Sequence, residues 1–155
     1  MSTDRATLVA EVSAALADLQ AVYDDRDRAL AERLGVYRTD LRCLDLIVRD
    51  GPQTATQLGA RLHLTRGSMT TLIDRLERAG YAKRHDDPGH GKRKLVAPTA
   101  ELVDAITPLI EPIRRQGQAR LDNYDIADLR LILDFLRTTH NGQHAIVAAI
   151  RGQLG

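Results

Sequence analysis

The periodicity of the chain changes at Gly80, and that change restricts the fold more than any other feature. Before it, Met69, Leu72, Ile73, Leu76 and Ala79 recur at spacings of three and four, the pattern of one buried helix face. After it, Tyr81-Ala-Lys-Arg-His85 and Lys92-Arg-Lys-Leu-Val-Ala97 read as two short strands. They flank a turn cluster, Asp86-Asp-Pro-Gly-His-Gly91. Upstream, Thr54 to Leu62 reads as a short helix with Leu58 and Leu62 inward. His63-Leu64 is a tight connection, and Thr65 caps the helix that Gly80 ends. Before these, Leu41, Leu44, Ile47 and Val48 give a further helix, with Thr39 as its N-cap and Gly51-Pro52 as its stop. The order is helix, helix, helix, hairpin, and the second and third helices have helix-turn-helix dimensions.

Longer helical stretches flank this module. Between Thr3 and Leu34, the residues Leu8, Val12, Leu16, Leu19 and Val22 form an apolar stripe with nothing local to pack on. Thr99 is placed to cap a helix from Leu102 to Arg120, in which Pro108 and Pro112 lie. Each interior proline removes a backbone bond, so a kink or break is predicted between Asp104 and Pro112, a candidate hinge. Asp125 caps a last helical region, which Asn141-Gly142 is expected to interrupt. Aromatic residues are 3% and Trp is absent, so the core is aliphatic and favours helix packing over a sandwich. The single Cys43 excludes an internal disulfide and a cysteine-cluster zinc site. No apolar run approaches ~18 residues and the N-terminus has no signal-like stretch, so a cytoplasmic location is expected.

The net charge of +1 argues, as an average, against a nucleic-acid partner. Its distribution argues the other way. Between Arg61 and Pro98 there are nine basic and four acidic residues, a surplus of five. The remaining thirteen basic and seventeen acidic residues leave a deficit of four. A basic module beside acidic helices suits a polyanion on one face. The outward side of the third helix carries Arg66, Ser68, Thr70, Thr71, Asp74 and Arg75. A helix fits the major groove of duplex DNA, small hydroxyl residues permit close approach, and Arg can pair with guanine edges or phosphates.

Leu41 to Thr99 resembles the MarR-type winged helix-turn-helix transcription regulators. The resemblance lies in the run from Leu64 to Tyr81, which contains Asp74-Arg-Leu-Glu77 and Gly80, then in Arg84, Asp87-Pro88 and Val96-Ala-Pro-Thr99. It implies a mostly α fold with a small β-hairpin wing and flanking dimerisation helices. Residues 1–35 and 99–155 would form the dimer layer, and residues 36–98 the DNA-binding domain. It implies a homodimer on a near-palindromic duplex operator, acting as a repressor whose affinity responds to a small-molecule effector. Arg66, Ser68, Thr70, Thr71, Arg75, Arg84, Lys92, Arg93 and Lys94 would face DNA. Neither a cofactor nor an enzymatic activity is expected. The family's wing usually reads Asp-Pro-x-Asp-Arg-Arg, whereas here Asp87-Pro-Gly-His-Gly-Lys92 stands. An Asp–Arg brace is therefore expected to be missing and the tip to be more mobile.

Other features compete with this reading. Tyr37 and Arg38 fall where the dimer layer should meet the DNA module, and an aromatic ring with a guanidinium suits a phenolic or carboxylate effector. His140 and His144 are spaced for zinc on a helix, which would suit a metal-responsive regulator or a helical enzyme. The hydrolytic motif needs Glu directly after the first His, and Asn141 stands there, so no metal site is expected. Cys43 reads as a buried structural thiol rather than an oxidant sensor. A winged helix that binds protein instead of DNA is the remaining alternative.

Overall fold

The computed structural model describes residues 4–152. The order is α1 (Arg5–Leu34), α2 (Arg38–Asp50), α3 (Ala55–Leu62), α4 (Arg66–Arg78), β1 (Ala82–Asp87), β2 (His90–Pro98), α5 (Ala100–Leu121) and α6 (Ile126–Gly152). Packing divides the chain into two units, with the seam between Ile106 and Thr107.

In the first unit, α2, α3 and α4 close around Cys43, Ile47, Leu58, Met69, Ile73 and Leu76, each no more than 1% exposed. The spacing of three and four puts these side chains on facing sides of the helices. Leu34 at the end of α1 and Leu102 in the first turn of α5 join the same core. Two outer positions differ from expectation. Val48 and Ala79 face outward, Leu46 is buried in addition, and Cys43 is buried as expected. α2 also starts earlier than expected, with Tyr37 rather than Thr39 at the N-cap position. Thr39 lies inside the first turn and cannot cap it, and Asp40 provides the negative charge that favours a helix start.

Helix ends follow local chemistry. Gly35 (φ 66°) closes α1, with the Val36 amide donating to the Ala31 carbonyl. Gly80 (φ 77°) closes α4 in the same way, with Tyr81 N–H donating to Leu76 O. The left-handed conformation at both sites is cheap only for glycine. Thr99 Oγ1 accepts from the Leu102 amide at 3.2 Å and starts α5.

The hairpin is longer than the sequence suggests, because β1 and β2 absorb most of the expected turn and leave only Pro88-Gly89 between them. Its base has a third partner. Gln53 and Val96 exchange both backbone bonds, at 3.1 and 2.8 Å. The Gln53 side chain donates to Leu46 O at 3.2 Å and accepts from Arg61 at 3.3 Å. The wing is thereby pinned to the turn between α2 and α3.

Neither expected interruption breaks its helix. α5 passes through Pro108 and Pro112 as one helix. The missing proline amides cost it the bonds to the carbonyls of Asp104 and Pro108, and the other turns hold it together. The seam between the two units falls just before Pro108. In the second unit, α6 continues through Asn141-Gly142. The propensity loss there is about 1 kcal/mol, too little to end a helix of 27 residues.

Candidate nucleic-acid interface

The site is built on the α3–α4 pair. Thr54 and Gln57 form a capping box: the Gln57 amide donates to Thr54 Oγ1 at 3.2 Å, and the Thr54 amide to Gln57 Oε1 at 2.9 Å. His63 ends α3 in the left-handed region (φ 55°), and the Leu64 amide returns to Gly59 O at 2.9 Å. Gly59 is what lets the turn close this tightly. A Cβ there would sit 3.2 Å from the Leu64 carbonyl and 3.8 Å from Met69. Thr65 then caps α4, accepting from the Ser68 amide at 3.2 Å.

α4 turns Arg66, Ser68, Thr70 and Thr71 to solvent. The Ser68 and Thr65 hydroxyls share a hydrogen bond of 2.9 Å. Thr70 Oγ1 donates to Arg66 O at 3.0 Å, and Thr71 Oγ1 to Gly67 O at 3.2 Å. With their protons directed at the backbone, both threonines offer outward lone pairs and methyl groups. These suit exocyclic amino groups and thymine methyls. Gly67 has a Cβ direction open to space and no positive φ. The protein's own packing does not require glycine there.

Two arginines of the expected DNA-facing set are committed elsewhere. Arg75 forks onto Asp40, with Nε to Oδ2 at 3.1 Å and Nη2 to Oδ1 at 2.6 Å. Asp40 is 1% exposed, and this ion pair ties α4 to the start of α2. The hydrogen bonds that Arg75 donates to Asp40 raise the Arg75 pKa further. Arg84 lies between two carboxylates of α4. Its side chain pairs with Glu77 and, at 2.8 Å, with Asp74, while its amide donates to Glu77 Oε1 at 2.9 Å. These bonds clamp β1 to α4. Sequence reasoning placed both arginines on the correct helix and strand but not their acidic partners: Asp40 is 35 positions away from Arg75, and Asp74 and Glu77 meet Arg84 only where β1 turns back along α4.

The wing tip corrects a further expectation. An Asp–Arg brace is present: Arg93 Nε lies 3.3 Å from Asp87 Oδ2. Asp87 also accepts from the Gly89 amide at 2.9 Å, and His90 Nδ1 lies 3.8 Å away. The pairing register jumps from Asp86↔Lys94 to Asp87↔His90, so Gly91, Lys92 and Arg93 bulge out of the ladder. That bulge lets Arg93 reach back to Asp87 from a position the usual spacing would not give. Lys94 pairs with Asp86 at 2.6 Å and holds its carboxyl below the usual range. Among the described residues, Arg66 and Lys92 have no acidic partner.

Tyr37 and Arg38 do not converge on one spot. The Tyr37 ring lies 5.0 Å from the Arg75 guanidinium, whereas Arg38 Nη2 pairs with Asp24 of α1 at 2.9 Å. Cys43 is fully buried, and burial, with Asp40 nearby, pushes its thiol up to about 12. A thiol raised this far stays protonated and unreactive at neutral pH. Iodoacetamide at pH 8 is therefore expected to modify native protein only as fast as it unfolds. Rapid labelling without denaturant would contradict this.

A helix-turn-helix whose second helix is followed by a pinned two-stranded hairpin is a winged helix-turn-helix. Comparison with known proteins agrees. The MarR family model matches residues 29–93. The chain is 36% identical over 109 residues to the uncharacterized HTH-type transcriptional regulator YcgE of Bacillus subtilis strain 168, covering 70% of this chain and 71% of that one. A MarR family protein from Bacillus stearothermophilus has a similar fold, with TM-score 0.64 and 20% identity over 92% of this chain and 99% of that one. A MarR-like transcriptional regulator of Thermotoga maritima also has TM-score 0.64, with 15% identity over 92% of this chain and 99% of that one. The chain belongs to the MarR family of transcriptional regulators, which are not enzymes. No helix among the described residues is long and apolar enough to cross a membrane.

Proposed function

We propose that this regulator is a homodimeric repressor that reads a near-palindromic operator through α4. The carrying observation is the division of labour on α4. Arg66, Ser68, Thr70 and Thr71 stand at its exposed surface, while Arg75 ties it to Asp40 and Arg84 ties β1 to its Asp74 and Glu77. Arg66 and the hydroxyl residues read bases, and Lys92, Arg93 and Lys94 of the wing engage phosphates. Arg75 and Arg84 act as positioning residues. Gly67 fits the same reading, since a helix-weakening residue with open space above it is useful where an external surface approaches closely.

Dimerisation is supported by apolar faces that the described residues of one chain leave uncovered. On α1, Leu8, Val12, Leu19 and Val22 are 44–61% exposed, and no residue of α6 is buried. A helix with a large exposed apolar face requires a partner. Two copies joined through residues 1–35 and 99–155 would set two α4 helices roughly 34–36 Å apart, one turn of duplex. A dimer seated this way excludes other proteins from its site, which is repression. Because Tyr37 and Arg38 do not converge, an effector of the phenolic or carboxylate class would engage one of them, either the exposed Tyr37 ring beside Arg75 or Arg38 in competition with Asp24.

Selection from random duplex DNA, followed by sedimentation of the complex, tests this reading. The expected result is a two-fold symmetric site holding two chains, with affinity that falls steeply with salt. Gly67→Ala should stabilise the free protein by about 0.5–1 kcal/mol and weaken the complex. A protein that binds no duplex at low salt would instead be a winged-helix protein-interaction module.

A further inference from the structure

We propose that His140 and His144 form a surface chelate for a late first-row divalent cation such as Zn2+. The two Nε2 atoms lie 3.1 Å apart, and the rings meet edge to face with centroids 4.5 Å apart. Two imidazole nitrogens bound to one ion at about 2.1 Å are separated by about 3.0 Å at a right angle and about 3.4 Å at the tetrahedral angle. The observed separation falls within that interval, so one ion can bridge the pair with little ring motion. The continuous helix through Asn141-Gly142 makes this possible, because a break there would part the two rings.

A neighbouring group prepares the first ligand. His140 Nδ1 lies 3.3 Å from Asn141 Oδ1, and the tautomer that donates this bond leaves the Nε2 lone pair available. In the metal-free form the close nitrogen pair needs one proton between its members, donated by His144 Nε2–H to His140 Nε2. On binding, that proton moves to His144 Nδ1, both rings stay neutral, and two lone pairs face the ion. Imidazole donors select Zn2+, Ni2+ or Cu2+ over Mg2+. Among the described residues no cluster of three His, Cys, Asp or Glu surrounds the pair, so water fills the remaining positions. Both rings are exposed on the single chain, so an ion can reach the pair wherever a partner copy leaves this part of α6 uncovered.

Titration of the untagged full chain with ZnCl2, followed by calorimetry, tests the proposal. The expected result is one ion per chain, no heat with MgCl2, and affinity weakened roughly tenfold or more by either His140→Ala or His144→Ala. Arg137→Ala, one turn away on the same helix, should bind as the unchanged protein does. Circular dichroism and duplex-DNA binding of each variant establish that it is folded, independently of the metal result. Absence of Zn2+ binding by the unchanged chain, or full binding by the folded double alanine variant, would overturn the proposal.

Discussion

Arg75→Ala is expected to lower the unfolding free energy by about 3–5 kcal/mol, the usual loss when a buried carboxylate is left without its partner. Asp40 is 1% exposed and holds both of its oxygens against the Arg75 fork. Alanine at position 75 strands that charge in the core beside Cys43 and Leu44. The reciprocal change should be milder. The Arg75 side chain is 34% exposed, so in Asp40→Ala its guanidinium can turn to water, and a loss of about 1–3 kcal/mol is expected. The double variant should be more stable than the two single losses added together. Urea unfolding of the three variants measures this, and equal small losses for both single changes would refute the buried-pair account. Arg75→Lys keeps the charge but lacks the planar fork, so it should recover only part of the stability. The same variants separate positioning from phosphate binding. If Arg75 acts through Asp40, both single variants weaken operator binding and leave its salt dependence unchanged.

The second large effect is expected on the operator. Arg66→Ala should cost about 1–3 kcal/mol of discrimination, concentrated at one base pair of each half-site. Lys92→Ala should weaken binding to every duplex alike and lower the salt slope by about 1 for each phosphate that Lys92 neutralises. These two cations lack acidic partners among the described residues, so neither change disturbs an internal ion pair. Binding isotherms on operator variants at several salt concentrations distinguish the two. Parallel losses across all variants for both substitutions would show that α4 and the wing do not divide the roles of reading and anchoring.

The wing shows how far local reasoning reaches. The hairpin itself was legible from the change of period at Gly80 and from Asp87-Pro88-Gly89. The bulge that brings Arg93 back to Asp87 was not, because it depends on where β2 resumes pairing. The base of the wing was equally hidden. Gln53 follows a Gly-Pro stop and reads as loop, yet it pairs with Val96 from 43 positions away in the chain. Gly59 offered a signal that periodicity did not use. A glycine inside a short helix just before a tight turn marks close backbone approach, and Leu64 O supplies it.

By itself, the sequence determined the order of helices and hairpin, the aliphatic core face of α4, the caps at Thr65, Thr99 and Asp125, and the basic module hidden under a near-zero net charge. These depend on periodicity, capping and charge, which act over a few residues. Tertiary structure alone decided which cations remain available. Arg75 meets Asp40 across 35 positions, and Arg84 meets Glu77 and Asp74 only because the turn after α4 folds β1 back onto that helix, so both arginines became struts. Tertiary structure also left apolar side chains of α1 and α6 exposed. A chain can write an apolar stripe, but only the packing shows how much of it one copy buries.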